Sequence, residues 1–247
     1  MLVEPKRRLV LIGGGHTHVQ VLRRLVMQPD PSVHVTVVTD RPAAGYSGMI
    51  PGHVAGQYSA AEVSIDLVPL ARRAGAAIVL RRATRIDTEA RTVHLADGRP
   101  PLPWELCSIN IGSTVSGLDT PGVREHVVST RPIHDLNPRI TARLRACPHS
   151  SLRVVIVGGG AAGVELAFAM EARLRREKRA GEIVLIAADG PAVGGGTRGP
   201  GGGCGCGTSS AGQSGRSGRT WSSSPGYGSR SPDTTLCYIY FYFYFCM

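Results

Sequence analysis

Two glycine-rich turns have the residue types and spacing that a phosphate-binding site needs. In the first, a strand-like apolar run at 9–12 is followed by glycines at 13–15; in the second, a similar run at 154–157 is followed by glycines at 158–160. Glycine permits a tight turn and lets the backbone approach phosphate oxygens, and the helix that follows supplies free N–H groups at its N-terminus. Each turn is therefore predicted to bind the pyrophosphate of a dinucleotide.

The elements on either side must hold each turn in place, and their order predicts a βαβ unit at both sites. Apolar runs of strand type alternate there with helical periodicity. The predicted elements are strand 9–12, helix 16–27 and strand 33–38 in the first unit, and strand 153–157, helix 161–179 and strand 182–187 in the second. The repeated order indicates a structural duplication and an α/β fold with parallel sheets. Two dinucleotide sites in one chain are typical of a flavoprotein oxidoreductase that uses a nicotinamide.

Further short elements are predicted between the two units. A loop at 43–56 is too long and too apolar for a simple connector, which is typical of a functional loop. The other predictions are a helix from Ser64 or Ile65 to Ala74, strands 77–80 and 84–86, a hairpin strand 92–95 that turns at Asp97-Gly98, a strand 104–111 and a helix 140–147.

Composition excludes several classes of protein. The chain has 247 residues and a formal net charge of +10, but its basic residues are scattered among Ala and Gly, so no nucleic-acid partner is expected. No stretch reaches the roughly 20 apolar residues of a transmembrane helix, and the N-terminus has no apolar secretory segment. The sequence therefore predicts a cytoplasmic protein without a transmembrane segment.

The chain changes character after Asp189. Residues 190–235 are rich in Gly, Ser, Pro and Arg, and residues 236–247 alternate Tyr and Phe. Such a composition predicts a disordered, low-complexity tail with an aromatic end. The alternatives are a tail that arises from a frameshift or a mis-called gene end, a flexible linker, and a membrane-surface anchor.

Two features near the first turn have open interpretations. Asp40 follows the second predicted strand, where an acidic residue suits a ribose hydroxyl pair, but it could equally be a turn aspartate before Arg41. His16 and His18 could form a catalytic or metal pair, but at a helix start they are more often polar residues near phosphate. No metal site is predicted.

The chain resembles the pyridine nucleotide-disulfide oxidoreductase superfamily over residues 8–189. Within it, the chain is similar to the type II NADH dehydrogenase-like branch, in particular the flavoprotein module fused to selenide, water dikinase. The motifs that carry the resemblance are 13–19, 46–52, 106–113 and 158–167. The resemblance implies a Rossmann-like FAD-binding domain at 8–135, with helices and a β-hairpin layer on its parallel sheet. The first part of a Rossmann-like NAD(P)-binding domain follows at 150–189, and the tail occupies 190–247.

The resemblance also implies site residues for FAD and for NADH or NADPH. Residues near FAD would be Gly13, Gly14, Gly15 and His16 at the pyrophosphate, Thr39 and Asp40 at the adenosine ribose, Ala83 at the adenine, Ser47 and Met49 at the isoalloxazine, and Gly112 and Ser113 as a closing segment. Residues near the nicotinamide dinucleotide would be Gly158, Gly160, Ala161, Ala162, Gly163 and Glu165.

The implied function is hydride transfer from NAD(P)H to flavin, then electron transfer to a quinone or another small acceptor. No side chain is nominated as a catalytic acid, base or nucleophile. His18 replaces the third glycine of the first turn, and the superfamily's redox cysteine pair is absent from 43–56. The second domain shows only two evident strands before the tail, which would leave those strands partly exposed. The competing hypothesis is therefore a truncated, non-catalytic nucleotide-binding fragment. Oligomeric state is left open.

Overall fold

The computed structural model describes residues 7–115, 117–147, 151–187, 219–223 and 237–242. The chain divides into two compact units, here called unit 1 (Met1–Tyr46 with Ala60–Ser113) and unit 2 (Ser47–Ser59 with Thr114–Met247). The predicted domain boundaries at 8–135, 150–189 and 190–247 stay a prediction.

Unit 1 contains a four-stranded parallel sheet and two small antiparallel ones. In chain order its strands are β1 (Arg7–Ile12), β2 (Val33–Thr39), β3 (Ala43–Gly45), β4 (Ser64–Asp66), β5 (Ala77–Leu80), β6 (Ala83–Asp87), β7 (Thr92–Leu95), β8 (Leu102–Pro103) and β9 (Leu106–Ile109). The helices of this stretch are α1 (His16–Met27), α2 (Ile50–Ala55) and α3 (Leu67–Arg73), of which α2 belongs to unit 2. The parallel sheet has the order β5-β2-β1-β9, and β6, β7 and β8 form a separate antiparallel sheet.

The two faces of the parallel sheet are covered differently. Leu11 and Val37 are buried on one face together with Leu22 of α1 and Ala71 of α3. The next residues along the strands point the other way, because side chains alternate across a strand. They form a second core with strand β7 of the antiparallel sheet, made of Val10, Ile12, Val38, Val93 and Leu95. The predicted arrangement of helices and a hairpin layer on a parallel sheet is thus confirmed.

Two local predictions in this stretch were wrong. Ser64–Asp66 is strand β4 rather than the start of a helix, and α3 begins after Asp66, whose carboxylate accepts the Val68 N–H at 3.1 Å as an N-cap. The loop predicted at 43–56 contains strand β3, a 3₁₀ turn at Ser47–Met49 and helix α2. Pro51 is compatible with this helix because it lies in the first turn of α2, where a missing N–H breaks no hydrogen bond.

Unit 2 is built on a five-stranded sheet. Its further strands are β10 (Val127–Ser129), β11 (Ser151–Val157), β12 (Ala180–Ala187), β13 (Arg219–Ser223) and β14 (Cys237–Tyr242). Its further helices are α4 (Val123–His126), α5 (Leu136–Ala146) and α6 (Ala161–Arg176). The strand order is β10-β14-β11-β12-β13, and β13 alone is antiparallel to its neighbour. Helices α2, α5 and α6 contribute Val54, Ile140 and Met170 to the core against β11 and β12.

Two segments of the predicted tail are strands of this sheet. β14 pairs with β11 on one side and with β10 on the other, and β13 pairs with β12. The apolar strands β11 and β12 therefore have a hydrogen-bonded neighbour on both edges, and the expectation of only two strands in this domain was wrong. The expected partial exposure concerned the faces of the strands, where Val184 and Ile186 of β12 are half-buried. The rest of 190–247 lies outside the described residues, so its disorder stays a prediction.

Candidate functional site

The two glycine turns share one backbone hydrogen bond and a positive φ at the first glycine. The N–H of Gly13 donates to the carbonyl oxygen of Val38 at 2.7 Å, and the N–H of Gly158 donates to that of Ile186 at 2.7 Å. Gly13 has φ +92° and Gly158 has φ +121°, a region that residues with a side chain rarely adopt. Each glycine thus links the end of one parallel strand to the neighbouring strand, and the chain then enters a helix.

Both helices begin without a protein cap. The N-cap residues are Gly15 for α1 and Gly160 for α6, both extended, with no side-chain hydrogen bond and no acidic residue in the first turn. The first N–H groups of a helix have no partner within it and carry partial positive charge. An anionic ligand accepts hydrogen bonds from these N–H groups and balances their partial positive charge. The residues present therefore fit the pyrophosphate group of a dinucleotide at each turn.

The first turn is closed by Asn110, which sequence analysis quoted within a motif but gave no role. Its N–H donates to the carbonyl oxygen of Ile12 at 2.8 Å, and its own carbonyl oxygen accepts the N–H of Gly15 at 3.1 Å. A Cβ at Gly13 would lie 2.2 Å from that carbonyl oxygen, so only glycine fits. Asn110 directly follows strand β9, which is the feature of the sequence that could have predicted its place beside the turn.

His18 is a packing residue of the first turn. It is 1% exposed, and its Nδ1 lies 2.7 Å from the carbonyl oxygen of Gly13 while Nε2 lies 2.9 Å from Oγ of Ser108. Nδ1 therefore carries the proton that the carbonyl accepts, and in the neutral ring Nε2 accepts from the Ser108 hydroxyl. His16, in contrast, stacks on Tyr46 with ring centroids 4.8 Å apart. With both ring nitrogens of His18 engaged, the two histidines do not form a ligand pair. Across the described ranges, no three His, Cys, Asp or Glu residues group as metal ligands.

The second turn separates two roles of glycine. A Cβ at Gly163 would lie 2.0 Å from the carbonyl oxygen of Gly158, so this glycine permits close contact between α6 and the turn. A Cβ at Gly160 would meet nothing within 4 Å. That open space in front of the helix N-terminus is where a dinucleotide would bring its phosphates. Ala161 and Ala162 form the first helical residues there, and Glu165 is exposed one turn further along.

The structure narrows the two interpretations of Asp40. The turn after β2 is made by Thr39, whose Oγ1 donates to the carbonyl oxygen of Arg41 at 3.1 Å and accepts the Arg41 N–H at 3.3 Å. Asp40 is exposed, and within the described part of the chain its carboxylate has no hydrogen bond or ion pair. A turn aspartate would be expected to bond to its own turn. The arrangement therefore favours a carboxylate that is available to a ligand.

The predicted FAD residues fall into three places. One group lies at or just after the ends of the adjacent parallel strands β1, β2 and β9, and so at one edge of the sheet: the turn at 13–15, Thr39 and Asp40, and Gly112 and Ser113. Ala83 begins β6 in the antiparallel sheet. Ser47 and Met49 belong to unit 2, in the 3₁₀ turn before α2. The roles of all these residues stay predictions.

These features define a class of protein with two Rossmann-type dinucleotide turns. Residues 7–192 match the family described as pyridine nucleotide-disulphide oxidoreductase, and the chain belongs to that family. Its members are NAD(P)H-dependent flavin oxidoreductases that bind FAD and NADH or NADPH. No curated protein sequence matches the chain.

Solved structures show the same fold at low sequence identity. Sulfide:quinone oxidoreductase from Aquifex aeolicus matches with a TM-score of 0.56 and 23% identity, over 69% of this chain and 40% of that one. NDH2 from Plasmodium falciparum in complex with NADH matches with a TM-score of 0.59 and 17% identity, over 70% and 38%. NADH:rubredoxin oxidoreductase from Clostridium acetobutylicum matches with a TM-score of 0.56 and 18% identity, over 72% and 44%. The chain thus spans 38–44% of the length of these proteins.

None of the helices in the described residues has the length and apolar character of a membrane span.

Proposed function

We propose that the protein is an FAD-dependent oxidoreductase that takes electrons from NADH or NADPH and passes them to a quinone or another small acceptor. The observation that carries the proposal is the duplicated turn, in which Gly13 and Gly158 make the same hydrogen bond at 2.7 Å before an uncapped helix. Membership of the pyridine nucleotide-disulphide oxidoreductase family supports one FAD and one nicotinamide dinucleotide per chain.

The first turn would hold FAD. The N-terminus of α1 would receive the pyrophosphate, with Gly15 and His16 at the point of closest approach. Asp40, free at the end of β2, would accept hydrogen bonds from the adenosine ribose hydroxyls. Gly112 has φ +79° and open space around it, which suits a segment that passes close to a ligand.

The second turn would hold NADH or NADPH. The N-terminus of α6, at Gly160, Ala161 and Ala162, offers its N–H groups to the pyrophosphate. Gly163 lets α6 lie close to the turn at Gly158, so these N–H groups are held by a rigid element. A preorganised donor set of this kind orients a ligand without reorganising the protein.

When bound, FAD would supply the hydride-accepting and electron-transfer chemistry, while the residues of the two turns would hold the cofactors. The chain contributes binding and orientation, and we assign no acid, base or nucleophile. A quinone acceptor is supported by the likeness to a sulfide:quinone oxidoreductase, and the rubredoxin-linked relative shows that the same fold serves other acceptors.

The test is anaerobic titration of the purified full chain. We expect visible flavin absorbance in the purified protein and its bleaching by NADH or NADPH. Asp40→Asn should weaken FAD binding about tenfold, because a charge-assisted hydrogen bond is lost, while Glu89→Gln at an exposed turn serves as a control. A protein that binds a nicotinamide but never flavin would support the alternative, a non-catalytic nucleotide-binding module.

A further inference from the structure

Four side chains of unit 2 form one hydrogen-bonded chain across three helices. They are His53 of α2, Asn137 of α5, Arg173 of α6 and Glu177, which follows α6; this set is called the α2–α6 relay. Asn137 Nδ2 lies 2.8 Å from His53 Nε2, and Arg173 Nη1 donates to Asn137 Oδ1 at 2.7 Å. Arg173 Nε then donates to Glu177 Oε1 at 2.8 Å.

The donor and acceptor roles in the relay agree from end to end. Because Asn137 Oδ1 accepts from a guanidinium, which can only donate, the amide must present its NH₂ group to His53. His53 Nε2 is therefore the acceptor, and Nδ1 carries the proton that the carbonyl oxygen of Tyr58 accepts at 2.7 Å. One amide orientation and one neutral imidazole tautomer satisfy every group.

Arg173 is the most buried and most fully hydrogen-bonded side chain of the relay. Its side chain is 8% exposed, and each of its three nitrogens donates a hydrogen bond, the third from Nη2 to Thr141 Oγ1 at 2.9 Å. Removing one partner of a buried charge is costly, so this guanidinium has little freedom to move. It ties α5 to α6, and through Asn137 it reaches α2.

Each outer helix of the relay leads to a predicted cofactor contact, and Arg173 lies in the last turn of α6, at the opposite end of that helix from its contact. Helix α2 directly follows the Ser47–Met49 turn, which is predicted to face the flavin ring, and α6 begins at the Gly160 turn, which is predicted to hold the nicotinamide dinucleotide. All of these elements belong to unit 2, and Val54 of α2 and Met170 of α6 are buried in the same core.

We propose that His53, Asn137 and Arg173 are positioning residues, which hold the flavin-side turn in register with the nicotinamide-binding helix for hydride transfer. The proposal rests on the proposed function. Hydride transfer requires the reacting atoms to be about 3–3.5 Å apart, and a displacement of about 1 Å can cost on the order of 100-fold in rate. A polar link of fixed geometry suits this task better than apolar packing, since its hydrogen bonds specify one orientation of α2.

The first test measures α2 itself and needs no catalysis. In hydrogen–deuterium exchange of the full chain, Asn137→Ala should raise the exchange rate of residues 50–57 about tenfold, because the hydrogen bond to the half-buried His53 ring and the acceptor for the buried Arg173 are both lost. The matched control is Arg175→Ala, which removes another arginine of α6 that is 79% exposed and pairs with Glu171. Unchanged exchange at 50–57 in Asn137→Ala would overturn the proposal.

A conservative variant distinguishes positioning from simple stability. Asn137→Asp still accepts from Arg173 but cannot donate to His53 Nε2. A neutral ring can then donate either to the new carboxylate or to the Tyr58 carbonyl oxygen, and only a protonated imidazole can donate to both. The charged groups facing His53 across a cleft of about 370 Å³ are Arg173 and Arg176, with Glu177 paired to Arg173. Protection of 50–57 in Asn137→Asp should therefore increase as the pH falls from about 8 to about 6, whereas wild-type protection should not.

The second test follows flavin reduction by stopped flow at saturating NADH or NADPH. Asn137→Ala should reduce flavin at least about tenfold more slowly, with FAD content and nicotinamide Kd within about twofold of wild type. Equal reduction rates in wild type and Asn137→Ala would overturn the relay alone. A wild-type flavin that neither nicotinamide reduces would instead refute the proposed function, and the exchange experiment would then still decide whether the relay fixes α2.

Discussion

The ring of His18 donates from Nδ1 to the carbonyl oxygen of Gly13 at 2.7 Å, across the turn that joins β1 to α1. The second turn has Gly163 at the same distance in sequence from Gly158, where a Cβ would lie 2.0 Å from the Gly158 carbonyl oxygen. The contact between a helix and the turn before it is therefore made by the imidazole of His18 in unit 1 and by the backbone of Gly163 in unit 2. Unit 1 gains a hydrogen bond there, and unit 2 gains a close approach.

Replacing His18 should destabilise unit 1. His18→Ala leaves the Gly13 carbonyl and the Ser108 hydroxyl without their partner and opens a void at a fully buried position. We expect a loss of about 2–3 kcal/mol in the free energy of unfolding, measured by urea denaturation followed by circular dichroism. His34→Ala, at an exposed position of β2, should change it by less than about 0.5 kcal/mol. Equal effects of the two variants would contradict this account.

The second turn should separate folding from nucleotide binding. Gly160→Ala adds a Cβ in open space at an ordinary φ of −71°, so the free energy of unfolding should stay within about 0.5 kcal/mol of wild type. The methyl group would occupy the predicted phosphate position, and calorimetry should show NADH or NADPH binding weakened at least about tenfold.

Gly163→Ala is the matched variant and should behave in the opposite way. Its Cβ is directed against backbone that cannot move aside, so a loss of stability of about 1–3 kcal/mol is expected. If Gly160→Ala destabilised the protein as much as Gly163→Ala, the space in front of α6 would not be open, and the distinction between the two glycines would be wrong.

The Arg8–Glu105 pair should make unit 1 sensitive to acid. The Arg8 N–H and guanidinium both donate to the Glu105 carboxylate, and these bonds lower the pKa of Glu105 below its ordinary value near 4.5. A lowered carboxyl pKa stabilises the fold above that value, and the contribution is lost as the pH falls through the folded-state pKa. Glu105→Gln should therefore lower Tm at pH 7, and the difference from wild type should shrink towards pH 3. A difference independent of pH would show that the charge is irrelevant.

Cys107 should be a slow nucleophile. Burial raises the pKa of its thiol above the ordinary value, because desolvation disfavours the thiolate. It lies on β9 beside the second core of unit 1 and is a free cysteine. Iodoacetamide at pH 7.5 should therefore label Cys107 much more slowly in the folded protein than in urea, as read by mass spectrometry of its peptide. Equal labelling in both states would reopen a thiol-based route for electrons.

Local features of the sequence determined a large part of the fold. Helix α1 covers the predicted residues 16–27, and strands β1, β2, β5, β7, β11 and β12 lie at the predicted places within a few residues. The glycine turns were predictable because their signals are local. An apolar strand, glycines that allow a positive φ and the start of a helix all lie within about ten residues. The hairpin layer was predictable for the same reason, from alternating residues and Asp97-Gly98.

Contacts between distant parts of the chain were decided only by the tertiary structure. Asn110 closes the turn at Gly13, and Ser108 completes the hydrogen bonding of His18, because β9 pairs with β1. The placement of α2 in unit 2, with its link to Asn137, likewise depends on packing and on no local pattern. Strand β14 lies in the aromatic end of the chain, whose Tyr and Phe residues favour a strand, but its place beside β11 was decided only by the tertiary structure. The alternation of apolar and polar residues and the residues of the turns specify which segments form strands. Which strand pairs with which depends on the apolar surfaces that distant parts of the chain bury together.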